Sequence, residues 1–107
     1  MPSSEMDFTF MKQRIEDAVT DNLKTITNLK VDAGAAVKEI LSYVFRNVNP
    51  DSVLADHARY DWYYSLLGKT IAIAQGWKIN HAPEVKSAAE TTASVREYIG
   101  KTYGEKL

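Results

Sequence analysis

The chain has 107 residues, a charged fraction of 25%, an apolar fraction of 45% and a formal net charge of −1. It is therefore sized for one folded domain and is neither a disordered tail nor a strongly basic or acidic partner of polyions. With no cysteine it can form no disulfide framework, thiolate metal site or thiol nucleophile. The opening residues Met1 to Glu5 hold no basic and apolar leader pattern, and no apolar run approaches the ~20 residues of a membrane span. A cytoplasmic protein without membrane contact is the expectation.

Apolar residues recur at helical steps along the whole chain, and Gly and Pro are few, so the spacing predicts an all-α fold, a small bundle of about four helices. A first helix is expected from Asp7 to Lys30, with Ser4 as its start signal. Phe8, Met11, Ile15, Val19, Leu23, Ile26 and Leu29 lie on one face, and Lys12, Glu16, Asp17 and Lys24 on the other. Asp32-Ala33-Gly34 interrupts this pattern, with Asp32 placed to cap a second helix from Ala35 to Val48. Its apolar positions are Val37, Ile40, Leu41, Val44 and Val48. A connection this short turns the second helix back antiparallel to the first.

Asn49-Pro50-Asp51 is the clearest punctuation. Proline lacks the amide that a helix's first turn leaves unpaired, so Pro50 suits that position with Asn49 as cap. The third helix is expected from Asp51 to Gln75, stopping at Gly76. Its main stripe reads Val53, His57, Tyr60, Tyr64, Leu67, Ile71 and Ala74. A second apolar line, Tyr63, Leu66 and Ile73 with Trp62 beside it, covers much of the remaining circumference, as in a helix central to a bundle or buried by a partner. The connection from Gly76 to Ala82 leads to a fourth helix opening at Pro83 and ending near Lys101. Its stripe is thin: Val85, Ala88, Thr92, Val95 and Ile99. The whole chain is read as a single helical domain.

Motifs with chemical meaning are sparse. Gly68-Lys69-Thr70 matches the end of a phosphate-binding loop, but the required earlier glycine is Tyr63 and no strand feeds it, so it reads as mid-helix sequence. His57 and Asp61 are four apart and share a helix face. With His81 they form the one conceivable metal set, weighed against a histidine held at the core edge. Most of the acids fall on faces opposite the apolar stripes, where carboxylates are solvated rather than paired for acid–base work. No catalytic residue and no cofactor is assigned.

The unusual tract is Arg59-Tyr60-Asp61-Trp62-Tyr63-Tyr64, four aromatics in five consecutive positions. Successive helical residues point about 100° apart, so these rings cannot all enter one small core. Trp and Tyr suit contact surfaces, burying large area while keeping a polar atom. The tract through Leu66 and Gly68 resembles a stretch of acyl-CoA-binding domains, which are also small four-helix proteins. It departs from them after Gly68 and lacks their upstream tyrosine motif, so no function is carried over.

The leading expectation is a non-enzymatic protein-interaction module, adaptor or regulator, self-associating or docked on a larger protein. Its contact residues are Tyr60, Trp62, Tyr63, Leu66, Ile73 and Trp77. A second expectation is a nucleic-acid-binding regulator. The run from Trp62 to Pro83 has no acidic residue, and Lys69, Lys78 and His81 could meet phosphates beside Trp77. The third is a metal- or ligand-binding bundle built on His57, Asp61 and His81.

Overall fold

The computed structural model describes residues 4–24, 33–46, 48, 59–81, 85 and 87–104; for 4–7 and 59–61 it describes the backbone alone. Among these residues the chain is all-α, with four helices and no strand. They are α1 (Ser4–Lys24), α2 (Ala33–Phe45), α3 (Arg59–Asn80) and α4 (Ala88–Tyr103). None is long and apolar enough to cross a membrane. The expected caps Asp32, Asn49 and Pro50, and the tail of the first helix beyond Lys24, lie outside the described residues.

Contacts between named side chains fix the topology. Phe8 of α1 meets Phe45 at the far end of α2, so these two helices run antiparallel as the sequence implied. Phe8 also meets Trp62 at the start of α3, and the Lys78 ammonium near its end donates to the Asn22 carbonyl near the end of α1. Helices α1 and α3 are therefore parallel neighbours. Helix α4 runs parallel to α2, since Arg96 pairs with Glu39 and Tyr103 meets Tyr43. The result is an up-down-up-down bundle.

Both α2 and α3 touch all three other helices, but α3 and α4 meet only along a short stretch, whereas α2 packs extensively on each neighbour. Burial explains this. Ala36, Val37, Ile40, Leu41 and Val44 occupy five of thirteen positions in α2 and form one broad buried face. Each apolar side chain taken out of water contributes ~1.5–3 kcal/mol, so this short helix is the hub despite its modest length. From α1 come Ile15, Val19 and Leu23, and from α4 Val95 and Ile99. These are positions on the expected stripes.

Helix α3 departs from expectation in both face and length. Its buried line is Thr70, Ile73, Ala74 and Trp77, continued by the half-buried Tyr63 and Leu66. Tyr64, assigned to the core stripe, is 65% exposed. The fully buried line thus runs mainly through the one read as secondary, while Ala74 of the main stripe is also buried and its Leu67 and Ile71 pack half-buried against the core. Thr70 concealed it: the residue reads as polar, yet its hydroxyl donates to the Leu66 carbonyl one turn back and is buried at no hydrogen-bond cost.

Gly76 does not end the helix, which runs on to Asn80. The glycine serves packing instead. A Cβ at Gly76 would collide with the Tyr98 hydroxyl and stand 2.9 Å from its Cζ, so the missing side chain is what lets α4 approach α3. The fourth helix starts later than Pro83 suggested, because Val85 is not helical and Ser87 is the cap. The Ser87 hydroxyl accepts from the Glu90 amide at 3.1 Å, satisfying a first-turn donor. In its stripe Thr91, not Thr92, is buried, its hydroxyl donating to the Ser87 carbonyl, and Ala88 is exposed. Gly104 closes the helix at φ 70°, a left-handed conformation that glycine adopts without strain.

Candidate functional site

The aromatic tract begins α3, and the structure divides its rings between two sides of that helix. Trp62 stacks at 5.6 Å on Phe8, which stands edge-on to Phe45 at 6.0 Å. This half-buried group closes the bundle on the side of α2. Lys69, nearly in line with Trp62 two turns on, also faces α2 and sits 5.3 Å from the centre of the Tyr43 ring. Tyr63 and Leu66 are half-buried against the core edge. Tyr60 lies in the first turn, where only the backbone is described.

Two expected contact residues belong elsewhere. Ile73 and Trp77 are wholly inaccessible to solvent, so neither can touch a partner. Trp77 was read as lying in a connection beyond the helix. It is in fact the largest fully buried side chain, and its indole N–H donates at 2.9 Å to the Ser94 hydroxyl of α4. That bond satisfies the one polar atom of an otherwise apolar ring.

What the outer surface does carry is Tyr64 together with Phe10, which is 62% exposed. The Phe8–Trp62 contact between parallel helices sets positions 10 and 64 level. A step of two residues rotates about 200° around a helix. Phe8 and Trp62 converge on the α2 side, so Phe10 and Tyr64 both leave on the opposite, outer face of the α1/α3 pair. Tyr63 stands at 5.1 Å from Tyr64, edge to face, and the Arg14 guanidinium lies 5.8 Å over Phe10. Phe10 was missed from sequence although the signal was present: an aromatic two residues after Phe8 falls off the α1 stripe.

The residues of the nucleic-acid expectation are not brought together. Lys69 faces α2, Lys78 faces α1 through the Asn22 carbonyl, and the His81 ring packs 5.4 Å from Tyr98 of α4. Two lysines and a histidine aimed at three different neighbours form no continuous track for phosphates. For the metal expectation, His57 lies outside the described residues and Asp61 is described by backbone alone. Among the described residues no three His, Asp or Glu side chains cluster as a metal site. Gly68-Lys69-Thr70 lies within α3, as expected of mid-helix sequence.

A second aromatic group, also missed, runs across the α2, α3 and α4 contact: Tyr43, Tyr103, Tyr98 and His81 at 5.4–6.4 Å between successive rings. Burial, and then the neighbouring phenols Tyr98 and Tyr43, raise the Tyr103 pKa above the ordinary phenol value. On the open side of α4 the Glu97 carboxylate accepts from Lys101 at 2.7 Å. That bond lowers the pKa of the acid and raises that of the amine. This is a solvated ion pair one turn apart, of the kind that trims helix ends. Comparison with protein families, with curated proteins and with solved structures returns no match.

Proposed function

We propose that the chain is a non-enzymatic protein-interaction module that pairs with a second copy of itself through the outer face of α1 and α3. The observation that carries this reading is the level placement of Phe10 and Tyr64, each more than 60% exposed, on two helices already locked together. Side chains of this size left in water forgo ~1.5–3 kcal/mol each, and exposed rings on one face are the sort of feature that marks a contact surface. A two-fold axis makes one patch its own complement, which favours a second copy as the occupant. Tyr63 supplies an edge for ring stacking, and Arg14 over Phe10 offers a cation to a facing ring. Docking on a larger, different protein remains the other form of the same reading.

Light scattering across micromolar concentrations tests this proposal. The expected result is a mass above that of the 12.0 kDa monomer, returning to monomer in the Phe10→Lys/Tyr64→Lys variant with its helical content intact. A monomer at every concentration, with no hydrophobic-dye binding, overturns it.

A further inference from the structure

A different face of the molecule carries a second inference. On the side of α1 turned away from Phe10, helices α1 and α2 diverge around an open trough of about 620 Å³. Its floor is apolar, with Val37, Leu41 and the half-buried Phe45. Each wall is one ridge of residues four apart: Lys12, Glu16 and Thr20 on α1, and Gly34, Lys38, Ser42 and Arg46 on α2. The α2 ridge extends about 18 Å along the axis at 1.5 Å per residue, long enough for three turns of another helix. Gly34 and Ser42 are small, so a visiting backbone can come close, and ridges four apart are the rows between which helices pack. The same α2 ridge also floors the adjoining depression toward α4, leaving the approach open on both sides.

Charge decides what suits this trough. Among the described residues Lys12 and Lys38, with Arg46 at one end, line it against one carboxylate, Glu16, although the whole chain is net negative. The next acid along the ridge, Glu39, is held by Arg96 at 2.9 Å. Lys38 is exposed and makes no ion pair among the described residues. The cations are spread along it: Lys12 and Arg46 stand at the Phe45 end, and Lys38 lies one turn from Gly34. Lys12 sits 5.2 Å over the Phe45 ring, beside Arg46, whereas Thr20 and Gly34 at the other end are neutral.

We propose that this trough docks an acidic amphipathic helix of a partner protein, with a leucine-type seam on the Val37–Leu41–Phe45 floor. Its carboxylates would face Lys12 and Lys38, one on each wall. The trough is too open to enclose a small molecule, whereas helix-in-groove recognition needs only a floor and two walls. With the outer α1/α3 face this gives the chain two independent contact surfaces, the arrangement an adaptor requires.

The test uses a synthetic helical peptide with Leu at i, i+3, i+4 and i+7 and Glu on the flanks. Its counterpart carries Lys on the flanks, and vesicles of anionic phosphatidylglycerol form the third arm. Binding is read by peptide fluorescence anisotropy at low and at physiological salt. The Glu peptide is expected to bind, to weaken with salt, and to weaken about tenfold in Lys38→Glu, a surface change that leaves the melting curve unmoved. The Lys peptide is expected not to bind. Equal binding of both peptides, binding of neither, or preference for the vesicles overturns the proposal. The Phe10→Lys/Tyr64→Lys variant is expected to keep peptide binding, so failure of self-association and failure of the trough are separately visible.

Discussion

The two ends of α3 put similar side chains to opposite uses. Its first turns hold Trp62, Tyr63 and Tyr64, half-buried or exposed, and Trp62 rests on Phe8 at the bundle's edge. Its last turns hold Thr70, Ile73, Ala74 and Trp77, all without solvent exposure. The difference does not lie in hydrophobicity, for the first end is the more aromatic. It lies in what stands opposite. The rear of α3 has α2, α1 and the small-residue approach of α4 at Gly76 around it, while the front has neighbours on the α2 side only. Coverage by other helices, more than residue type, separates a core from a contact surface.

The largest expected effect is on the two tryptophans. Trp77→Ala removes a fully buried ring and leaves the Ser94 hydroxyl without its donor, which should cost ~3–5 kcal/mol in chemical denaturation. Trp62→Ala should cost about 1 kcal/mol, as expected for a partly exposed ring. Equal losses would break the contrast between the two ends.

The glycines sharpen it. Gly68 has open space where a Cβ would go, so Gly68→Ala should stabilise by ~0.5–1 kcal/mol through helix propensity alone. Gly76→Ala meets the Tyr98 ring and should instead destabilise by ~1–2 kcal/mol, a loss that reverses when Tyr98→Ala is added. A Gly76→Ala gain equal to that at Gly68 would mean that α4 does not close over the rear of α3. Ser87→Ala loosens the cap of the same covering helix and should cost ~1 kcal/mol, with no change in self-association.

A smaller effect concerns alkaline pH. The folded protein holds the Tyr103 proton more tightly than the unfolded chain does. Its contribution is therefore complete below the ordinary phenol pKa and is lost as pH rises through the raised value. Between the ordinary phenol pKa and the raised one, stability of the native chain should fall more steeply than stability of Tyr103→Phe, in parallel urea melts. Identical slopes would place Tyr103 in open solvent.

How far the sequence could be read follows from the same contrast. The stripes of α1 and α2 and the lower half of α4 were legible, because Ile15–Val19–Leu23, Ile40–Leu41–Val44 and Val95–Ile99 have one apolar line and an unmistakably polar opposite side. On α3 two apolar lines compete, and periodicity alone cannot rank them. Thr70 broke the true line by carrying a hydroxyl that its own helix satisfies, and Thr91 did the same on α4. Gly76 looked like a stop because glycine's two uses, ending a helix and admitting a neighbour, leave the same mark in a sequence. Trp77 followed it into an imagined loop and was mistaken for a contact residue. Of the aromatic tract, Trp62, Tyr63 and Leu66 remain at the surface's margin, and the rings that leave it, Tyr64 and Phe10, were assigned to the core or passed over.

Collisional quenching of single-tryptophan variants tests the division of α3 most directly. Trp77→Phe leaves Trp62 as the reporter and Trp62→Phe leaves Trp77, each followed from nanomolar to high micromolar protein. The account predicts that Trp77 is shielded from acrylamide at every concentration. Trp62 should be quenched more readily than Trp77 at every concentration, because it is half-buried on the α2 side, away from the face through which copies pair. A Trp62 as well shielded as Trp77 would contradict it.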